Sequence, residues 1–248
     1  MTAMAMARFP ARPGADRNAF LVFVCLVWVG VLSGFGTDSV SHVMAHGLDY
    51  PLIVHLHAVT FVSWLTLFTV QVMLIRGGRP DIHRKLGVAG AALAGAMLLI
   101  GPSTALVVEA AAYATRGRTP EFLAVQLGDI LAFAGLVGAG LLLRTDAAAH
   151  KRLMLLGLFY ISDAGFARFL NGPLAAPFGE GQLGEFAQLY LCSNLLMLAL
   201  GLYDWITRRR LHPAYVAGLV WILLIELGAG VLLHSDAWKA LALHMIGH

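Results

Sequence analysis

The stretch HLHAVTFVSW, His55 to Trp64, places two imidazoles two residues apart just inside a long apolar run. Imidazoles there invite metal or haem ligation, or proton transfer. Pro51 suits a first helical turn, so both histidines are expected to be helical. Side chains two apart on a helix point about 200° from each other, so the pair cannot chelate one ion from a regular helix. His55 and His57 are therefore expected as two separate placements. Only an extended lead-in would set them on one face. His42, His46, His234, His244 and His248 bring the histidines on the same side of the chain to seven of ten. Neither HxxxH pair carries the glutamate of HExxH, so no zincin is implied.

A second group consists of polar residues inside apolar runs. Counting about 1.5 Å per residue from the outer helix ends puts His57 about 8 Å deep, Glu226 about 10 Å, Asp129 about 12 Å, and Asp163 and Asn194 about 13 Å. Five helices thus contribute to one layer in the outer half. Gln126 shares a face with Asp129 at i, i+3, and Arg168 shares one with Asn171 nearer the surface. Ionisable groups at membrane depth are costly, and mark ion pathways and proton relays. The expected arrangement is three carboxylates neutralised by Arg168 and protonated histidines. The alternative is a structural network that pins the helices together.

These residues need spans to hold them. The chain has 248 residues, 59% hydrophobic and 12% charged, with a mean hydropathy of +0.77. About 25% charged is usual for a soluble domain, so the fold class is an all-α integral membrane bundle. Seven runs reach the roughly 20 residues a bilayer requires: 19–35, 52–75, 86–111, 121–144, 152–172, 185–206 and 213–233. Residues 1–18 are assigned to an N-terminal tail, 19–233 to the seven-helix domain and 234–248 to a C-terminal tail. The first run, behind a basic leader, also fits a signal peptide. A retained span is preferred, because the run is long and no A-x-A site follows.

Thirteen of the 17 Lys and Arg residues fall on one side of this topology. The positive-inside rule then puts the N-terminus in the cytoplasm and the C-terminus in the periplasm of a bacterial inner membrane. Basic residues dispersed over short loops argue against nucleic acid. The lipid bilayer is the expected partner, with a further copy of the chain or other membrane subunits beside it. Cys25 and Cys192 lie in apolar runs and form no metal or disulfide motif. His83, His150 and His212 each open a span after a basic turn (RGGRPDIHRKLG, RTDAAAHKRLML, RRRLHPAYVAG). This weak repeat suggests three helical hairpins behind the first span. Small residues at helical spacing, Gly87/Ala91/Gly95 and Gly135/Ala139, are packing faces.

The blocks HLHAVTFVSWLTLFTVQVMLIRGGRPDIHRKLG, LGDILAF, AHKRLMLLG and RRRLHPA resemble a family of bacterial polytopic inner-membrane proteins over roughly residues 50–220. His55, His57, Trp64, Gln71, His83, Arg84, Asp129, His150 and His212 match its pattern. The resemblance implies a polytopic helical bundle and no particular chemistry. A looser similarity links the chain to membrane b-type cytochromes and ferric reductases, which ligate haem b with histidines on facing helices. It implies an outer pair of His55 or His57 with His234. It also implies an inner pair, His83 and His150, with Arg84, Lys85, Lys151 and Arg152 near the propionates. The histidines depart from that pattern in depth, since none lies at mid-span. Seven-helix zinc hydrolases of the alkaline-ceramidase kind share the span number, but His244 and His248 lie beyond the last span. The leading expectation is a membrane redox protein with haem b or a transition metal at a His/carboxylate site in the outer half. A proton- or cation-coupled small-solute carrier is the alternative, and a structural or assembly protein a further one.

Overall fold

The computed structural model describes residue 9 and residues 13–248, all helix, turn or loop. Of the tail assigned to residues 1–18, Arg8 and Arg12 lie outside the described residues. Helix α1 (Pro13–Val31) runs through a π-helical turn, Leu32–Gly36, straight into α2 (Thr37–His46). Then come α3 (Leu52–Arg76), α4 (Pro80–Arg116), α5 (Leu123–Leu142), α6 (Ala147–Ile161), α7 (Asp163–Phe169), α8 (Asn171–Ala175), α9 (Gln182–Arg208), α10 (Pro213–Leu233) and α11 (Asp236–Met245). Among the described residues six helices are long and apolar enough to cross a bilayer. There are seven if the bent pair Ala147–Phe169 and Asn171–Phe178, which turns by 84°, counts as one span.

Local chemistry sets the helix ends. Asp146 caps α6 by accepting from the Ala148 and Ala149 N–H groups. The His212 side chain accepts from Ala214 N–H, and Pro213 follows where its missing N–H costs nothing. Gly117, at φ +65°, closes α4 in the left-handed region. Pro102 lies inside α4 without ending it. The largest departure from the sequence reading is the first span. His42 and His46 are helical in α2, where their rings stack 4.9 Å apart.

The bundle has two chemically distinct ends. The basic end gathers Arg17, Arg76, Lys151, Arg152 and Arg208; Arg76 donates to Asn18 Oδ1 and to the Arg17 carbonyl, tying α3 to α1. The opposite, histidine-rich end holds His42, His55, His234 and α11. The core between them is built on Val24, Val27, Met97, Phe133, Leu136, Leu156, Phe159 and Leu200, all essentially unexposed. Helix α10 packs its backbone against α5 and α6, and barely against α9.

One close approach shapes the middle of the bundle. A Cβ on Gly34, in the π-helical turn, would lie 1.9 Å from the Gly165 carbonyl oxygen of α7. Only a glycine fits there. Irregular backbone at membrane depth is tolerated where it is buried in protein. Here the π turn of one helix is seated against the segment just after the Ser162 interruption between α6 and α7.

Candidate functional site: a buried carboxyl and tyrosine cluster

Asp129 of α5, Asp163 at the start of α7 and Glu226 of α10 come together in the bundle interior. Asp129 lies within electrostatic reach of both other carboxyl groups, and its side chain faces that of Asp163. Asp163 and Glu226 are 3% and 2% exposed. Asp129 is half-buried as a residue, but its Oδ1 is shielded from solvent and has no hydrogen-bond partner. Asp163 Oδ1 accepts from the Ala164 N–H at 2.5 Å. Asn194 of α9 donates to Glu226 Oε2 at 3.2 Å, leaving Oε1 buried and unpaired.

Two tyrosines that the sequence reading did not single out complete the cluster. Tyr160 and Tyr190 are 0% and 1% exposed, their rings stack 6.1 Å apart, and both feel all three carboxyl groups. Neither hydroxyl has a hydrogen-bond partner. Helical spacing was the signal that could have found them. Tyr160 lies three residues before Asp163, and Tyr190 four before Asn194, in each case on the same face.

Other expected members have different partners. Arg168 points outward, 3.6 Å from Asp38 and over the Phe35 ring at 4.2 Å, and donates to the Ala164 carbonyl. It acts on Asp163 only through longer-range electrostatics. Gln126 donates to Glu109, which is buried in α4 and held by Arg118 through two bonds of 2.8 and 2.9 Å. Glu109, near the outer end of the third run, was not singled out from the sequence. Asn171 is fully buried and stitches α8 to α9. It donates to the Gln188 and Leu189 carbonyls and accepts from Cys192 N–H.

The histidines are dispersed. His55 is exposed, edge-on to Tyr50 at 6.1 Å. His57 is half-buried and stacks on Phe61 at 4.0 Å. His234 pairs with Glu185 at 2.8 Å. At the basic end, His83 and His150 do meet, with ring centroids 6.2 Å apart. His150 Nδ1 is bonded to the Gly140 carbonyl, whereas His83 Nδ1 and Gln71 Oε1 are buried without partners. Among the described residues no group of three or more His, Cys, Asp or Glu side chains is arranged to hold a metal ion.

Compared with known proteins, the chain matches no family model, no curated protein and no solved structure. The site must therefore be read from its own chemistry. A second buried constellation lies at the basic end and is saturated with partners. Asp204 accepts from Arg152 and Arg208, and Asp16 from Lys151, Arg208 and Tyr203. Such a network joins α1, α6 and α9. The carboxyl cluster differs in kind. Among the described residues, no Lys, Arg or His forms an ion pair with Asp129, Asp163 or Glu226. It keeps buried polar atoms without a hydrogen-bond partner, Asp129 Oδ1 and Glu226 Oε1 among them, where the basic-end network has its carboxylates bonded.

Proposed function

We propose that the chain is a proton- or cation-coupled carrier of small solutes, crossing the bacterial inner membrane seven times. The N-terminus is cytoplasmic and the C-terminus periplasmic, by the distribution of Lys and Arg. The observation that carries this reading is the convergence of Asp129, Asp163 and Glu226, each from a different helix, without a paired cation. Three ionised carboxylates in a low-dielectric interior repel one another and lose hydration. Such a cluster holds protons or a cation, and exchange between the two is the chemistry of coupling. The neighbouring irregularities support the reading, since carriers build their sites where membrane helices are interrupted. Asp163 directly follows the Ser162 interruption, and the π turn of Leu32–Gly36 is packed on the same segment.

The test uses the purified chain in liposomes loaded with a pH-sensitive dye. An imposed pH gradient should relax faster with the protein than without it, and Asp163→Asn should lose this while remaining folded. Equal relaxation by Asp163→Asn and the parent chain would return the cluster to a structural role.

A membrane redox protein is the second reading, favoured by one observation: His83 and His150 come within ring contact. Two imidazoles on facing helices, with one ring oriented through its Nδ1, suit an axial pair or a transition-metal site. The visible spectrum of protein expressed in haem-replete cells decides it. A Soret band reduced by His83→Ala and His150→Ala supports the reading, and a colourless protein removes the haem version.

A further inference from the structure

Three carboxyl groups in the bundle interior are neutralised by protons or by a bound cation, and the atoms around them narrow which cation fits. Asp129 Oδ1 and Glu226 Oε1 are buried acceptors without donors. Tyr160 and Tyr190 add two unpaired hydroxyls and two stacked ring faces. Among the described residues no three His, Cys, Asp or Glu side chains are grouped about one metal position, so a cation here is held by fewer carboxyl groups together with the tyrosines. An ammonium group suits the set. It brings up to three N–H donors for the free acceptors and a positive charge for the carboxylates and the aromatic faces.

A surface cleft at the histidine-rich end lies where α9 begins and α10 ends. The backbones of α9 and α10 approach each other at few positions. Near the basic end, Tyr215 of α10 donates to the Met197 carbonyl of α9, with its hydroxyl set against Gly201. Towards the other end two polar side-chain pairs link the helices, Asn194 with Glu226 and then Glu185 with His234. That last pair lines a shallow cleft of about 520 Å³, together with Glu180, Gln182 and Gln188. Two acidic side chains at its mouth raise the local concentration of cations.

We propose that the cluster binds a small protonated amine, which enters from the acidic cleft between α9 and α10. This rests on the carrier reading and supplies its substrate class. Protons compete for the same carboxyl groups, so amine binding weakens on acidification. The groups facing the ligand are Asp129 from α5, Tyr160 from α6, Asp163 from α7, Tyr190 and Asn194 from α9 and Glu226 from α10, with Arg168 acting from further away.

The experiment measures equilibrium binding of radiolabelled methylammonium to the purified chain in lipid nanodiscs at mildly alkaline pH. Tetramethylammonium and sodium serve as competitors. Saturable binding of one methylammonium per chain is expected. Glu226→Gln should weaken it by about ten-fold or more, the loss of one charge-assisted hydrogen bond. Tetramethylammonium has no N–H donor and should compete poorly. Tyr190→Phe keeps the ring and removes only the hydroxyl, so it tests the site should Glu226→Gln fail to fold; it should weaken binding less. No saturable methylammonium binding, with proton movement in liposomes intact, overturns the amine proposal and leaves the carrier reading standing. Loss of both overturns both. Binding unaffected by either substitution, or displaced equally by tetramethylammonium, places the amine elsewhere and also overturns the proposal.

Discussion

Arg152 and Asp204 face each other across the α6–α9 interface through two hydrogen bonds of 2.5 and 2.6 Å, with neither side chain exposed. A buried pair of this geometry is a weak source of net stability but a strong constraint, because removing one partner strands the other charge. Asp204→Ala should therefore cost about 3–5 kcal/mol, read as a large drop in thermal stability in detergent. Arg208 donates to the same carboxylate, which adds a second stranded charge. Replacing Arg152 and Asp204 together, by Met and Leu, should recover a large part of the loss. A double variant no more stable than the single one would show that the pair does more than satisfy itself.

His212 gives the fold a pH dependence of predictable sign. Burial lowers its pKa first, Arg152 and Arg210 lower it further, and Asp146 and Asp204 oppose them. Its ring nitrogen accepts the Ala214 N–H at the start of α10, and protonating that nitrogen removes the acceptor. With a folded pKa below the unfolded one, the unfolded chain binds the proton more readily. Stability from this residue is thus complete above the ordinary imidazole range, and declines as pH falls through it. Thermal scans between about pH 7 and 5, bracketing the free imidazole value, should show a falling midpoint. In His212→Asn, a cap that does not titrate, that part of the slope should disappear. An unchanged slope would assign it to other groups.

The helical bundle was legible in the sequence because apolar runs and basic turns report length and composition, which is all a span requires. The interruption at Ser162 and the π turn at Leu32–Gly36 were not, because neither contains a proline and the two segments meet, at Gly34 and Gly165, only in the folded bundle. Depth counting placed His57, Asp129, Asp163, Asn194 and Glu226 in one expected layer, since axial rise is fixed by helix geometry. It carries no information on rotation about the axis. Arg168 and Gln126 lie at suitable depths but turn to Asp38 and Glu109, while Tyr160 and Tyr190 turn inward. The histidine density at one end likewise reflects several unrelated contacts: His42 with Asp49, His57 with Phe61 and His234 with Glu185.

The asymmetry of Lys and Arg makes the topology directly testable. Reporter fusions after Arg210 should read cytoplasmic, and fusions after His248 periplasmic. The outcome also decides how the bent pair behaves. If Ala147–Phe169 crosses the membrane and Asn171–Phe178 lies at its surface, there are seven spans and the two reporters disagree. If the pair enters and leaves on the same side, the span count is even and both reporters exchange sides, the one after Arg210 reading periplasmic and the one after His248 cytoplasmic.

The glycine contact beside the carboxyl cluster links packing to function. In Gly34→Ala the new methyl group would overlap the Gly165 carbonyl, whose oxygen lies 1.9 Å from the Cβ position. Neither atom belongs to a flexible side chain, so α7 must shift away from α1. Overpacking of this kind costs about 1–3 kcal/mol. The shift would act on Asp163, two residues before Gly165 on the same short helix, and on the Ser162 interruption that precedes it. Gly34→Ala should therefore lower the thermal midpoint and impair proton movement in liposomes. Gly36→Ala, in the same π turn but with open space at its Cβ, should do neither. Equal effects of the two substitutions would mean that the turn responds to lost backbone freedom and not to the contact. A folded Gly34→Ala chain with full activity would separate the seat of α7 from the chemistry of Asp163.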